Sequence, residues 1–139
     1  MKTIVLVGGC FDLLHYGHIK FLEEAKSHGD WLVIALESDE NVRRMKGNSR
    51  PIHSQKQRKE MLEALSVVDE VISLLPMRTD LEYFDFVKKI RPSVIAITQG
   101  DPLEGKKEEQ TKIVDAELII IPKIHTPSTS QLAKLLGLE

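Results

Sequence analysis

Short apolar runs recur along the chain at Ile4–Val7, Leu32–Leu36, Val71–Leu75, Val94–Thr98 and Leu118–Ile121. Each is dense in Ile, Val and Leu and lacks strict apolar–polar alternation, the pattern of strands covered on both faces in a parallel sheet. Between the runs the apolar period lengthens to that of a helix. Ile19, Leu22 and Ala25 fall on one helical face, with Gly29 placed as a C-terminal cap. Ser54 and Gln57 are spaced as a capping box ahead of Met61, Leu62 and Leu65. Leu81, Phe84, Val87 and Ile90 form another stripe, which Pro92 stops. Residues 104–114 form a highly charged helix candidate. Ser128 and Thr129 open a last helix carrying Leu132, Leu135 and Leu136, with Gly137 behind it. Strand and helix patterns alternate throughout. The expected fold is therefore α/β, a Rossmann-like doubly wound sheet of about five parallel strands with helices on both faces and right-handed crossovers. A chain of 139 residues suits one domain, residues 1–139. In such sheets ligands sit beyond the C-terminal strand ends near the switch point, which singles out loops 8–18, 37–50, 99–105 and 122–130.

Composition narrows the chemistry. The formal net charge of −2 points to no polyanionic partner such as nucleic acid, although a local basic cluster can still serve a small anion. Cys10 is the single cysteine, so an intrachain disulfide and a Cys-rich metal site are excluded. Ile4–Val7 is too short for a secretory h-region or a membrane span, and no longer apolar stretch follows. The reading is a soluble, cytoplasmic protein with no membrane partner.

The loop after the first strand carries the strongest chemistry. It reads Gly8-Gly9-Cys10-Phe11-Asp12-Leu13-Leu14-His15-Tyr16-Gly17-His18. The two glycines are expected to take positive φ and let the backbone approach a ligand. Two histidines then flank a glycine where a helix begins. Free N–H groups and the positive dipole end at such a terminus suit phosphate. Imidazoles there can donate hydrogen bonds that strengthen as charge builds in a transition state. Alone, a loop histidine is a solvated side chain and a Gly-Gly pair a turn; the position between a strand and an amphipathic helix favours the functional reading. Only Asp12 could join the histidines around zinc, so no metal bound directly by side chains is expected. Further along, Arg43, Arg44, Lys46, Arg50 and Arg58 crowd one stretch of a mildly acidic chain. Such a run is often a solvated face, and Arg58 could pair with Glu60 or Glu63; a triphosphate also needs several cations.

Phe11 through His18 resembles the signature of the cytidylyltransferase-like nucleotidyltransferases. These include glycerol-3-phosphate cytidylyltransferases, the adenylyltransferase domain of ADP-heptose synthases, and archaeal FAD synthetases. The resemblance implies attack of a substrate phosphate on the α-phosphate of ATP or CTP. Mg²⁺ would be carried on the triphosphate, pyrophosphate would leave, and no covalent enzyme intermediate would form. It implies catalytic roles for His15, His18 and Lys46, and nucleotide contacts from Gly9, Cys10, Phe11, Asp12 and Arg58. The matching Gly100-Asp101 loop would lie near the base and acceptor, and Ser128-Thr129-Ser130 would bind phosphate while capping the last helix. Met45-Lys46-Gly47, Arg50-Pro51-Ile52 and Gln57-Arg58 resemble the ADP-heptose synthase and FAD synthetase branches. Leu13-Leu14-His15 and Glu104-Gly105-Lys106 are closer to the cytidylyltransferases. Two departures stand out: Cys10 occupies a position usually Thr, Ser or Val, and Lys123 stands where cytidylyltransferases carry an arginine. Lysine cannot copy that bidentate fork. The balance favours adenylyl transfer from ATP to a small-molecule acceptor such as a sugar phosphate or FMN. The alternatives are cytidylyl transfer from CTP to glycerol 3-phosphate or a similar alcohol phosphate, and a nucleotide-binding domain without catalysis. A homodimer is expected by analogy with the family.

Overall fold

The computed structural model describes residues 2–124 and 129–138. Strands β1 (Ile4–Gly9), β2 (Trp31–Leu36), β3 (Glu70–Ser73), β4 (Val94–Thr98) and β5 (Glu117–Ile121) overlap the five apolar runs, with β3 ending before Leu74 and the exposed Leu75. They pair in parallel in the order β3-β2-β1-β4-β5. The chain winds outward from β1 through β2 to β3, then crosses back to place β4 on the other side of β1. The winding direction thus reverses between β1 and β4. Above the C-terminal ends of these two strands, loops diverge to opposite faces and leave a crevice.

Both faces of the sheet are covered, which explains the unbroken apolar runs. Val5, Val7, Leu32 and Ile34 pack on one side with Leu22 and Ala25 of α1 (Tyr16–Lys26) and Leu62 of α3 (Gln55–Glu63). Leu6, Val33, Ile95 and Ile97 pack on the other with Val87 of α4 (Asp80–Ile90) and Val114 of α5 (Glu104–Val114). Ser54 and Gln57 form the expected reciprocal cap of α3: the Gln57 N–H donates to Ser54 Oγ and the Ser54 N–H to Gln57 Oε1.

Some expectations are corrected. Residues 37–50 are not simply a loop: α2 (Asp39–Lys46) lies within them, started by Ser38, whose hydroxyl accepts from the Asn41 N–H. Gly29 does not cap α1. That helix ends at Ser27, and Gly29 is needed because a Cβ there would lie 2.6 Å from the Thr3 carbonyl oxygen. Leu81 points outward on α4, while Tyr83 and Phe86 join Val87 against the sheet. On α6 (Thr129–Leu135), Leu135 and the following Leu136 are exposed and Ala133 is buried. The small residue sets the packed face because it lets the helix approach closely.

Candidate functional site

The loop from β1 into α1 is shaped by a buried ion pair. Asp12 is 2% exposed and its carboxylate accepts from Arg50 Nε at 2.7 Å, the Ile52 N–H at 2.7 Å and the His53 N–H at 3.1 Å. Burial alone raises the carboxyl pKa, but those donors and the guanidinium charge outweigh it and hold Asp12 below the usual carboxylate range. The flanking residues Phe11 and Leu13 adopt left-handed φ values of 47° and 56°. Side-chain-bearing residues there cost on the order of 1–2 kcal/mol each, and the three bonds to Asp12 are what over-determine them. The two glycines play a different part from the one expected, since neither has positive φ. Gly9 instead leaves room for the Phe11 ring, which a Cβ would meet at 2.9 Å.

Arg58 is a second internal brace. It is 1% exposed, and its guanidinium donates to the Cys10 carbonyl (2.7 Å), the His53 carbonyl (3.1 Å) and Asp39 (2.8 Å). It ties the first loop to the starts of α2 and α3. The expected phosphate contact is therefore not offered by Arg58, and Asp12 has its carboxylate committed to the cradle. The buried environment of both residues favours saturated internal bonding over a ligand-facing role.

The histidines start α1 by capping it reciprocally. His15 Nδ1 accepts from the Gly17 N–H at 3.1 Å, and His18 Nδ1 accepts from the His15 N–H at 3.3 Å. Their rings stack with centroids 3.9 Å apart. A nitrogen that accepts carries no proton, so each neutral ring is the tautomer with its hydrogen on Nε2. Burial, the neighbouring His15 and the Lys46 charge push the His18 pKa down to about 4, and burial lowers His15 as well. Both are neutral donors near pH 7. Burial pushes the Cys10 thiol up, keeping it protonated.

Two cavities open beside this loop. The first, about 540 Å³, is lined by His15, His18, Phe21, Thr98 and Lys123, with Gln131 of α6. The second, about 610 Å³, lies toward β2, α2 and α4 and includes Glu37, Lys46, Tyr83 and Phe84. They share Gly8, Gly9, Cys10, Phe11, His18, Asp101 and Lys107. Lys46 ends α2, and its ammonium has no hydrogen bond or ion pair among the described residues. Asp101 follows Gly100, which takes the positive φ of 84° that the turn requires, and accepts from Lys107 Nζ at 3.0 Å. Ser130 sits in the first turn of α6, Thr129 begins that helix, and Ser128 lies outside the described residues.

Two residues escaped the sequence reading. Lys107 sits six positions after Asp101, a separation that spans a turn and a helix start and carries no periodic signal. Glu37 directly follows the apolar run of β2, at the sheet end where ligands bind; a charge there was the available sign.

An open parallel sheet with a phosphate-ready helix start at its switch point defines a nucleotide-binding α/β domain. The chain belongs to the cytidylyltransferase-like family, whose model matches residues 6–130, and is a nucleotidyltransferase domain. It is 39% identical over 138 residues to the FAD synthase of Thermococcus sibiricus, covering 97% of this chain and 90% of that protein. It is also 39% identical over 133 residues to the bifunctional protein HldE of Aliarcobacter butzleri, covering 96% of this chain. The chain spans only 26% of that HldE protein. A lipopolysaccharide core biosynthesis protein from Thermoplasma volcanium superposes with a TM-score of 0.72 at 25% identity, covering 89% of this chain and 98% of the other.

Proposed function

We propose that the chain is an adenylyltransferase that takes ATP in the first cavity and a phosphorylated small molecule in the second. The observation that carries this reading is the meeting of the two cavities at Gly9–Phe11, His18, Asp101 and Lys107. An acceptor phosphate from one side and an α-phosphate from the other would meet there, in line for displacement. The FAD synthase relatives, which match over nearly their whole length, support ATP as donor and FMN as one acceptor to test. The HldE relatives support a sugar phosphate as another.

On this reading the Nε2–H groups of His15 and His18 donate to oxygens of the transferring phosphate, where negative charge accumulates. The rings need no reorientation, because α1 already holds them by Nδ1. Lys107, shared by both cavities, offsets charge at the transferring phosphate, and Lys46, in the second, offsets that of the acceptor phosphate. Asp12, Arg50 and Arg58 act at one remove, fixing the loop. Among the described residues no three His, Cys, Asp or Glu side chains gather to hold a metal. Mg²⁺ accompanying the nucleotide would rest on phosphate oxygens, adding charge neutralisation there. No helix among the described residues is long and apolar enough to cross a membrane. The proposal includes a cytoplasmic location and, by family analogy, a homodimer.

Pyrophosphate release with ATP or CTP, against FMN, a heptose 1-phosphate and glycerol 3-phosphate, tests this directly. Release with ATP and one of the first two acceptors is expected. Preference for CTP overturns the choice of nucleotide, and nucleotide binding with no release for any acceptor overturns catalysis.

A further inference from the structure

The second cavity contains a buried carboxylate that the phosphate chemistry does not use. Glu37 is 8% exposed, and its backbone N–H donates to the Gly9 carbonyl at 3.1 Å, fixing it beside the histidine loop. Its two oxygens lie 2.9 and 3.1 Å from the Tyr83 hydroxyl, which can give its single proton to only one of them. Behind that hydroxyl a chain of donors leads back through buried Asn41 to Arg44 at the surface. Asn41 Nδ2 donates to Tyr83 Oη at 3.1 Å, and Arg44 donates to Asn41 Oδ1 at 2.8 Å. Each link polarises the next toward Glu37. Among the described residues the carboxylate has no cationic partner within ion-pair distance. The same cavity is lined by Met45, Phe84, Phe86 and Leu103, with Lys46, Lys106 and Lys107 also on its wall.

A carboxylate offers about four lone-pair sites, and a buried polar group left unfilled is costly. Tyr83 fills one site. The cavity thus presents a fixed carboxylate acceptor beside apolar and aromatic side chains. We propose that Glu37, held by Tyr83, is a specificity-determining residue that selects an acceptor by its uncharged hydroxyl or N–H groups. The proposal rests on the adenylyltransferase reading. The acceptor is then a phosphate monoester whose far end carries neutral donors beside an apolar face. A second phosphate or carboxylate placed against Glu37 is disfavoured by its like charge. Tyr83 is a positioning residue: burial and the adjacent Glu37 charge raise its pKa, so it stays a donor throughout the working pH range.

The test uses the acceptor that the wild type turns over fastest among FMN, a heptose 1-phosphate and glycerol 3-phosphate, together with its monodeoxy analogues. A hydrogen bond to a buried charge predicts that Glu37→Ala raises the acceptor KM by about tenfold to a hundredfold. The KM for ATP and kcat should stay within about twofold, as expected for a contact made equally in ground and transition states. Glu37→Gln, which keeps an acceptor oxygen without the charge, should fall between. One monodeoxy analogue should bind the wild type poorly yet lose nothing further with Glu37→Ala. Equal acceptor KM values in wild type, Glu37→Ala and Glu37→Gln, with all three folded by thermal melting, overturn the proposal. A parallel rise in the KM for ATP also overturns it, by showing a general distortion of the cleft. Absence of wild-type turnover with all three acceptors overturns the adenylyltransferase reading, and this inference with it.

Discussion

His18 serves two purposes through two ring nitrogens, and a substitution can separate them. Nδ1 accepts from the His15 N–H and helps start α1, while Nε2 carries the hydrogen assigned to the transferring phosphate. His18→Ala removes both. His18→Asn places an amide oxygen near the position of Nδ1, so the cap is kept and the outward donor is lost. Losing one preorganised donor to a developing oxyanion costs ~10²–10³ in kcat, or about 2.7–4 kcal/mol. Losing a cap costs about 1 kcal/mol, which moves Tm by roughly 4 °C in a chain this size. His18→Asn should therefore lose two to three orders of magnitude in kcat with Tm within a degree or two of wild type. His18→Ala should lose a similar rate and several degrees of Tm as well. The assay is pyrophosphate release at saturating ATP and acceptor, with melts on the same samples. If His18→Asn keeps a rate within about twofold of wild type, the Nε2 assignment fails. If its rate falls only in proportion to lost folded protein, the histidine is a helix cap and nothing more.

Two other perturbations probe the frame around the histidines. Asp12→Ala removes the acidic half of a buried ion pair at a site 2% exposed, and breaking such a pair costs about 3–5 kcal/mol. A fall in Tm of ten degrees or more is expected, and a loss of only a degree or two would show that the pair does not hold the loop. The pH dependence follows from His18. Its pKa is lowered from 6.5 unfolded to about 4 folded, so the unfolded chain binds the proton first as pH falls. Stability should then be flat above pH 6.5 and decline toward pH 4, by up to on the order of 3 kcal/mol from this residue. Denaturant melts at pH 7 and 4.5 check this. His18→Asn should lose less than wild type between the two, and an identical loss in both would contradict the assignment.

The sheet was legible because its strands are covered on both sides, so Ile4–Val7 and Leu32–Leu36 carry an apolar signal at every position. The start of α3 was legible because Ser54 and Gln57 interact locally. Helix α2 was not, since it turns one narrow buried face, Asn41 and Val42, toward the protein and surrounds it with charge. The histidine motif could be located from sequence, as its position after a strand and before a helix is a local fact. The roles of Asp12 and Arg58 could not. A charged residue in a loop reads the same whether it meets a ligand or another loop, and their partners lie 38 and 48 residues away, at Arg50 and Cys10. The same distance hides Glu37, whose partner Tyr83 is 46 residues along the chain. Gly8 and Gly9 were expected to take positive φ and neither does; Gly9 instead leaves room for the Phe11 ring, a contact no local pattern shows.

Adenylyl transfer is tested most directly by where the phosphorus atoms of ATP go. With ATP labelled in turn at the α and γ positions and FMN or a heptose 1-phosphate as acceptor, the α label should appear in the acceptor product and the γ label only in pyrophosphate. A γ label on the acceptor, or both labels retained in unreacted or hydrolysed nucleotide, would contradict it.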